Sequence, residues 1–75
     1  MHQNGKFADA AKLFEKAESV NASESLFSYN LACAYARAND ARWKDALDRA
    51  IKKGGDAIKT RAKSDKDFSG VQLPF

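Results

Sequence analysis

Seventy-five residues, 44% apolar and 31% charged, fit one domain with a single small core and argue against disorder as the default. No apolar run approaches the ~20 residues that span a bilayer, no signal peptide is evident, and a single cysteine excludes an internal disulfide, which together fit a reducing, cytoplasmic setting. The formal charge of +3 is uneven: residues 1–40 carry four cations against five carboxylates, and residues 41–75 carry nine against five.

Met1 to Gly5 reads as the end of a preceding element, because Asn4-Gly5 is turn chemistry and a turn normally joins two elements. The spacing then predicts a first helix from Lys6 to Val20, with Phe7, Ala10, Ala11, Phe14, Ala17 and Val20 along its apolar side. Asp9, Lys12, Glu15, Lys16 and Glu18 are expected outside, with Asp9 able to pair with Lys12 or Lys16. Asn21-Ala22-Ser23 closes this helix, and Asn21 or Ser23 is expected to cap the next. The same three residues match a glycosylation sequon, which has no role without a secretory signal.

The second helix, to about Ala38, has two apolar stripes. Phe27, Leu31, Ala34, Tyr35 and Ala38 form the core-facing one; Leu26, Tyr29, Cys33, Ala36 and Arg37 form another about a third of a turn away, which suggests a partner surface. Asp40 is expected to cap a third helix running to about Lys53, with Trp43, Ala46, Leu47, Ala50 and Ile51 inward. Lys52 and Lys53 suit its negative end, and Gly54-Gly55 stop it. Asp56 is then expected to cap a short fourth helix through Lys63 that packs Ala57, Ile58 and Ala62. Ser64 to Lys66 reads as a turn. Phe68, Val71, Leu73 and Phe75 either fold back over the open end of the helices or fray.

An internal similarity runs through this pattern. Gly5-x-Phe7-x-x-Ala10-x-x-x-Phe14-x-x-Ala17 is echoed 36 positions later by Trp43-x-x-Ala46-x-x-x-Ala50. With Asn30-Leu31-Ala32-Cys33-Ala34-Tyr35 between the two, the chain resembles the tetratricopeptide repeat (TPR), a helix–turn–helix unit of about 34 residues. By that resemblance residues 5–20 are the second helix of one repeat, 24–53 a complete repeat, and 56–75 a capping helix and tail, all within one domain of residues 1–75. Asn39 stands in place of the family's glycine, Ala22 in place of proline, Ala50 in place of a large aromatic and Lys53 in place of the final alanine. Ala41 and Arg42 lengthen the connection. Such departures are those of a terminal unit, and Tyr29 to Phe68 is similar to the end of bacterial repeat arrays.

The resemblance implies an all-α, antiparallel helix-turn-helix superhelix of three main helices, a short fourth and a C-terminal capping tail. It also implies a non-enzymatic scaffold that binds a protein or peptide on the groove face of residues 24–38, with Leu26, Tyr29, Asn30, Cys33 and Arg37 as contacts. Asn30 offers both a donor and an acceptor to a peptide backbone or terminal carboxylate. Lys59, with Arg61 and Lys63, would favour an acidic C-terminal segment. The alternative is a basic helical domain that binds a nucleic-acid backbone through residues 42–66, weakened by Asp45 and Asp48 among the cations. No catalytic residue, metal site or cofactor is expected: Cys33 has no base beside it in sequence, His2 is far off, and the ligands are too few. The edge of the first helix, lacking a partner helix, is expected to support a weak homodimer.

Overall fold

The computed structural model describes residues 2–73 and 75, with side chains from Lys6 onward. All regular structure in it is helical: α1 (His2–Val20), α2 (Ser25–Arg37), α3 (Trp43–Gly54), α4 (Asp56–Ser64) and a final 3₁₀ turn, η1 (Lys66–Phe68). The helices form a slab of 34 × 29 × 16 Å in which α2 is the central element, packed against α1, α3 and η1.

α1 passes straight through Asn4-Gly5, where the sequence suggested a turn. Both residues sit in the first turn, whose N–H groups lack intrahelical partners in any case, so poor helix formers are tolerated there. At the other end, Val20 was expected on the apolar side but is 81% exposed, because no element among the described residues covers that flank.

α2 starts later than its expected caps. Ser23 Oγ donates to Asn21 Oδ1 at 3.2 Å, and the residue before the helix is Glu24, whose carboxylate accepts from the Leu26 N–H at 3.4 Å. The start is set by packing: Ser28 must be inside, where it meets Glu18. α2 ends in a Schellman motif, with the Asp40 N–H on the Tyr35 carbonyl (2.9 Å) and the Asn39 N–H on the Ala36 carbonyl (3.2 Å). Asn39 takes φ 58°, a conformation that asparagine tolerates better than most residues.

Asp40 does not cap α3 directly. Its carboxylate accepts from the Arg42 N–H at 3.0 Å and its carbonyl from the Trp43 N–H at 3.2 Å, making a separate turn in which Ala41 and Arg42 are the extra residues. The inward face of α3 is as expected, with Trp43, Ala46, Leu47 and Ala50 buried and Ile51 partly so. Gly55, at φ 75° and ψ −155°, ends α3 and precedes α4; it, not Asp56, is the residue before that helix. Ile58 and Ala62, four apart, bury one face of α4, while Ala57 lies off that stripe and is exposed.

The tail folds back. Asp65 caps η1 by accepting from the Asp67 N–H at 2.9 Å. Phe68, 3% exposed, meets the Tyr29 ring edge-on at 5.8 Å between centroids and the Trp43 ring at 6.0 Å. Val71 and Leu73 pack behind it, and Phe75 lies under the ammonium groups of Lys59 and Lys63.

Candidate functional site

A groove of about 250 Å³ runs between α1, α2 and η1. Its floor is Phe7, Ala10 and Phe14 of α1 with Cys33 and Ala34 of α2, and its rim carries Asn30, Arg37 and Asp67. Phe7, Ala10 and Phe14 recur at i, i+3, i+7 and Asn30, Cys33, Ala34 and Arg37 at i, i+3, i+4, i+7, which places them on facing stripes, and the small alanines leave the space between unfilled as a channel.

Three residues expected to contact a partner therefore meet at one place: Asn30, Cys33 and Arg37. Asn30 is half-buried; its side-chain amide takes part in none of the side-chain hydrogen bonds among the described residues and is no buried orphan, so it stands open to solvent at the rim. Arg37 donates through Nε to Asp67 Oδ1 at 2.7 Å, its guanidinium carbon 5.7 Å from the centre of the Phe7 ring. Its two terminal nitrogens have no partner among the described residues. An apolar floor thus carries, on one rim, a neutral donor-acceptor and a cationic fork.

The other expected contacts lie elsewhere. Tyr29, 1% exposed, is covered by η1: its hydroxyl donates to Asp65 at 2.5 Å, Phe68 lies on one side and the Arg61 guanidinium 5.2 Å above its ring. Cys33 is 8% exposed, part of the floor rather than a projecting contact. The stripe holding Tyr29, Cys33 and Ala36 is real, but the chain's own tail occupies most of it. Leu26 is 45% exposed one turn before Asn30, outside the groove lining. Lys59 lies on α4 beside Lys44, Leu47, Ile51 and Phe75, with its ammonium 3.8 Å from Asp56, and takes no part in the groove. Phe7, Ala10, Phe14 and Asp67 are lining residues that the sequence reading did not single out for binding. The aromatic slots at Phe7 and Phe14 were visible, but they read as core.

The structure also brings Cys33, Asp65 and Asp67 together, with potential ligand atoms all within 4.8 Å. Each is already engaged. Asp65 accepts from Tyr29 and from the Asp67 N–H, and Asp67 from Arg37. Burial, reinforced by the two carboxylates, pushes the Cys33 thiol far above its ordinary range, which opposes the thiolate that a metal or a nucleophilic step requires. Burial alone would raise the Asp65 carboxyl, but the Tyr29 hydroxyl, the Asp67 N–H and the nearby Arg61 and Arg37 outweigh it and hold it below the usual range. The cluster is a hydrogen-bonded seam that fixes the tail.

Five of the nine cations of residues 42–66 are in ion pairs: Arg42 with Asp40 and Glu15, Arg49 and Lys53 with Glu18, Lys52 with Asp48, and Lys59 with Asp56. Lys44, Arg61, Lys63 and Lys66 are in none among the described residues, and they are divided between α3, α4 and η1.

Comparison with family models, with curated proteins and with solved structures gives no match for this chain. Among the described residues, no helix is long and apolar enough to cross a membrane. The groove's own chemistry therefore carries the functional argument.

Proposed function

We propose that this chain is a non-enzymatic protein-interaction module of the TPR type, working in the reducing cytoplasm, that holds an extended acidic peptide in the α1–α2 groove. The observation that carries this reading is the pairing, at one rim of an apolar channel, of the uncommitted Asn30 amide with the unpaired terminal nitrogens of Arg37. An apolar side chain fits between Phe7 and Phe14. Asn30 satisfies the peptide backbone, and Arg37 takes a carboxylate in a bidentate contact while Asp67 stays on Nε. The helix–turn–helix register and the 36-residue internal similarity support the TPR assignment. Arg37 and Asp67 are both solvent-accessible, so the pair that frames the rim costs little to rearrange.

An NMR titration with short peptides that end in a large apolar residue flanked by carboxylates tests this. The amides of Phe7, Asn30, Ala34 and Arg37 are expected to shift together, while those of Lys44 and Lys59 stay still. R37Q is expected to weaken binding by about tenfold, as loss of one charge-assisted contact implies. Amides of the groove that do not move at millimolar peptide overturn the reading.

A further inference from the structure

The side of α1 turned away from the peptide groove is also uncovered. Leu13, Ala17 and Val20 follow one another at i, i+4 and i+7, and Leu13 is 70% and Val20 81% exposed. With Lys16, Asn21 and Phe27 they line a shallow depression of about 480 Å³. The carboxylates on the opposite side of α1 are consumed internally: Glu15 by Tyr35 and Arg42, Glu18 by Ser28, Arg49 and Lys53. On the open side stand Lys6, on the stripe itself seven positions before Leu13, and Asp9 and Lys16 beside it, none of them in an ion pair among the described residues. Asp9 and Lys16 are seven positions apart, two helical turns, and so lie on the same flank of the apolar stripe.

We propose that this face pairs two copies of the chain, α1 against α1, antiparallel and related by a two-fold axis near Leu13. Charge selects this arrangement. A two-fold axis across two antiparallel helices sets each flank against the same flank of the other copy. One register places Leu13 opposite Val20, but it also brings Lys16 against its own symmetry mate. Sliding the copies by about one turn per helix sets each Lys16 against the other copy's Asp9, giving two opposite-charge pairs in place of one repulsion. Leu13 then packs on its symmetry mate at the axis, and Val20 lies against the aliphatic stem of Lys6. None of Asp9, Leu13, Lys16 and Val20 lines the peptide groove, so self-pairing and peptide binding stand or fall separately.

Sedimentation equilibrium of the full chain from micromolar to millimolar concentration tests this. A concentration-dependent dimer is expected, weakened by salt because its ion pairs are exposed. L13E abolishes it while leaving the circular dichroism unchanged, since Leu13 is not part of the core. D9K and K16D, each turning both pairs repulsive, weaken association by about tenfold or more. An equimolar mixture of the two variants regains the dimer, because the introduced lysine then meets the introduced aspartate while native Lys16 meets native Asp9. A strict monomer at millimolar concentration, a dimer indifferent to these substitutions, or a mixture that fails to recover overturns the proposal.

Discussion

Four donors converge on the Glu18 carboxylate: Arg49 Nε and Nη2, each at 2.9 Å, Lys53 Nζ at 3.2 Å, and Ser28 Oγ. Lys53 also donates to Ser28 Oγ at 2.6 Å, so α1, α2 and α3 meet at one polar knot beside the core. The Arg49 hydrogen bond, ahead of Ser28 and Lys53, lowers the Glu18 carboxyl from 4.5 to about 2 against the opposing effect of burial. A carboxylate depressed on folding contributes stability above its unfolded pKa and loses it as the pH falls toward its folded one. E18Q is therefore expected to cost about 2 kcal/mol at neutral pH, since it leaves Arg49 and Lys53 without their anion. The gap between wild type and variant should close between pH 4.5 and about 2. Urea denaturation across that range measures it, and a gap independent of pH would place the effect in packing instead.

At the scale of the elements, the α3–α4 junction depends on two adjacent glycines for different reasons. Beyond its own chain neighbours Gly55 has no atom within 4 Å of where a Cβ would be, but its φ of 75° and ψ of −155° lie in a region essentially reserved for glycine. G55A should cost about 1–3 kcal/mol through the backbone alone. Gly54 has ordinary helical geometry, but a Cβ there would lie 2.5 Å from Ile58 Cγ1 and 3.2 Å from Ser25 Cβ. Ile58 is buried, so G54A should cost about 1–3 kcal/mol through overpacking. The two are separable: I58A removes both clashing carbons, so G54A and I58A together cost less than the sum of their separate costs while G55A and I58A simply add, as thermal melts of the double variants would show. The helices, the glycine stop and the inward face of α3 were legible because 3.6-residue periodicity and Gly-Gly are local signals. That a second stripe exists on α2 was legible for the same reason. What covers it was not, because Asp65 and Phe68 reach Tyr29 across more than thirty residues and no local pattern encodes that contact. The Glu18 knot escaped notice on the same ground: Glu18 looked like one of several solvated charges until α2 and α3 were placed beside it. Capping preferences misled at Ser23, Asp40 and Asp56, where differences of about 1 kcal/mol yield to the placement of buried side chains such as Ser28 and Ile58.

Across the whole molecule, the tail is what turns a helical hairpin and its neighbour into a closed core. Phe68 fills the space between Tyr29 and Trp43, and the seam of Asp65, Asp67 and Arg37 fixes the turn that carries it. A chain of this size has only about 3–5 kcal/mol of net stability from its core, and removing the Phe68 ring altogether costs about the same. F68A should thus be largely unfolded, and the milder F68L is the informative variant. Cys33 reports on the tail directly, because its thiol lies against Asp67 and is held protonated by burial beneath that segment. In the folded chain it offers only 8% of its surface, at the groove floor, and its thiol is held neutral, so labelling is slow until the tail lifts or the chain unfolds. If opening and closing are fast compared with labelling, the rate follows the population of the open form, a factor of ten for every 1.4 kcal/mol. F68L, at a cost of about 1–1.5 kcal/mol, is expected to label about tenfold faster than wild type. E18Q destabilises the far side of α2 and should accelerate labelling only as far as it promotes global unfolding. Wild-type labelling as fast as that of an unstructured cysteine peptide would show that the tail does not shield α2. Equal acceleration in F68L and in an E18Q variant of matched stability would show that Cys33 is exposed by unfolding of the whole chain and not by local release of its cap.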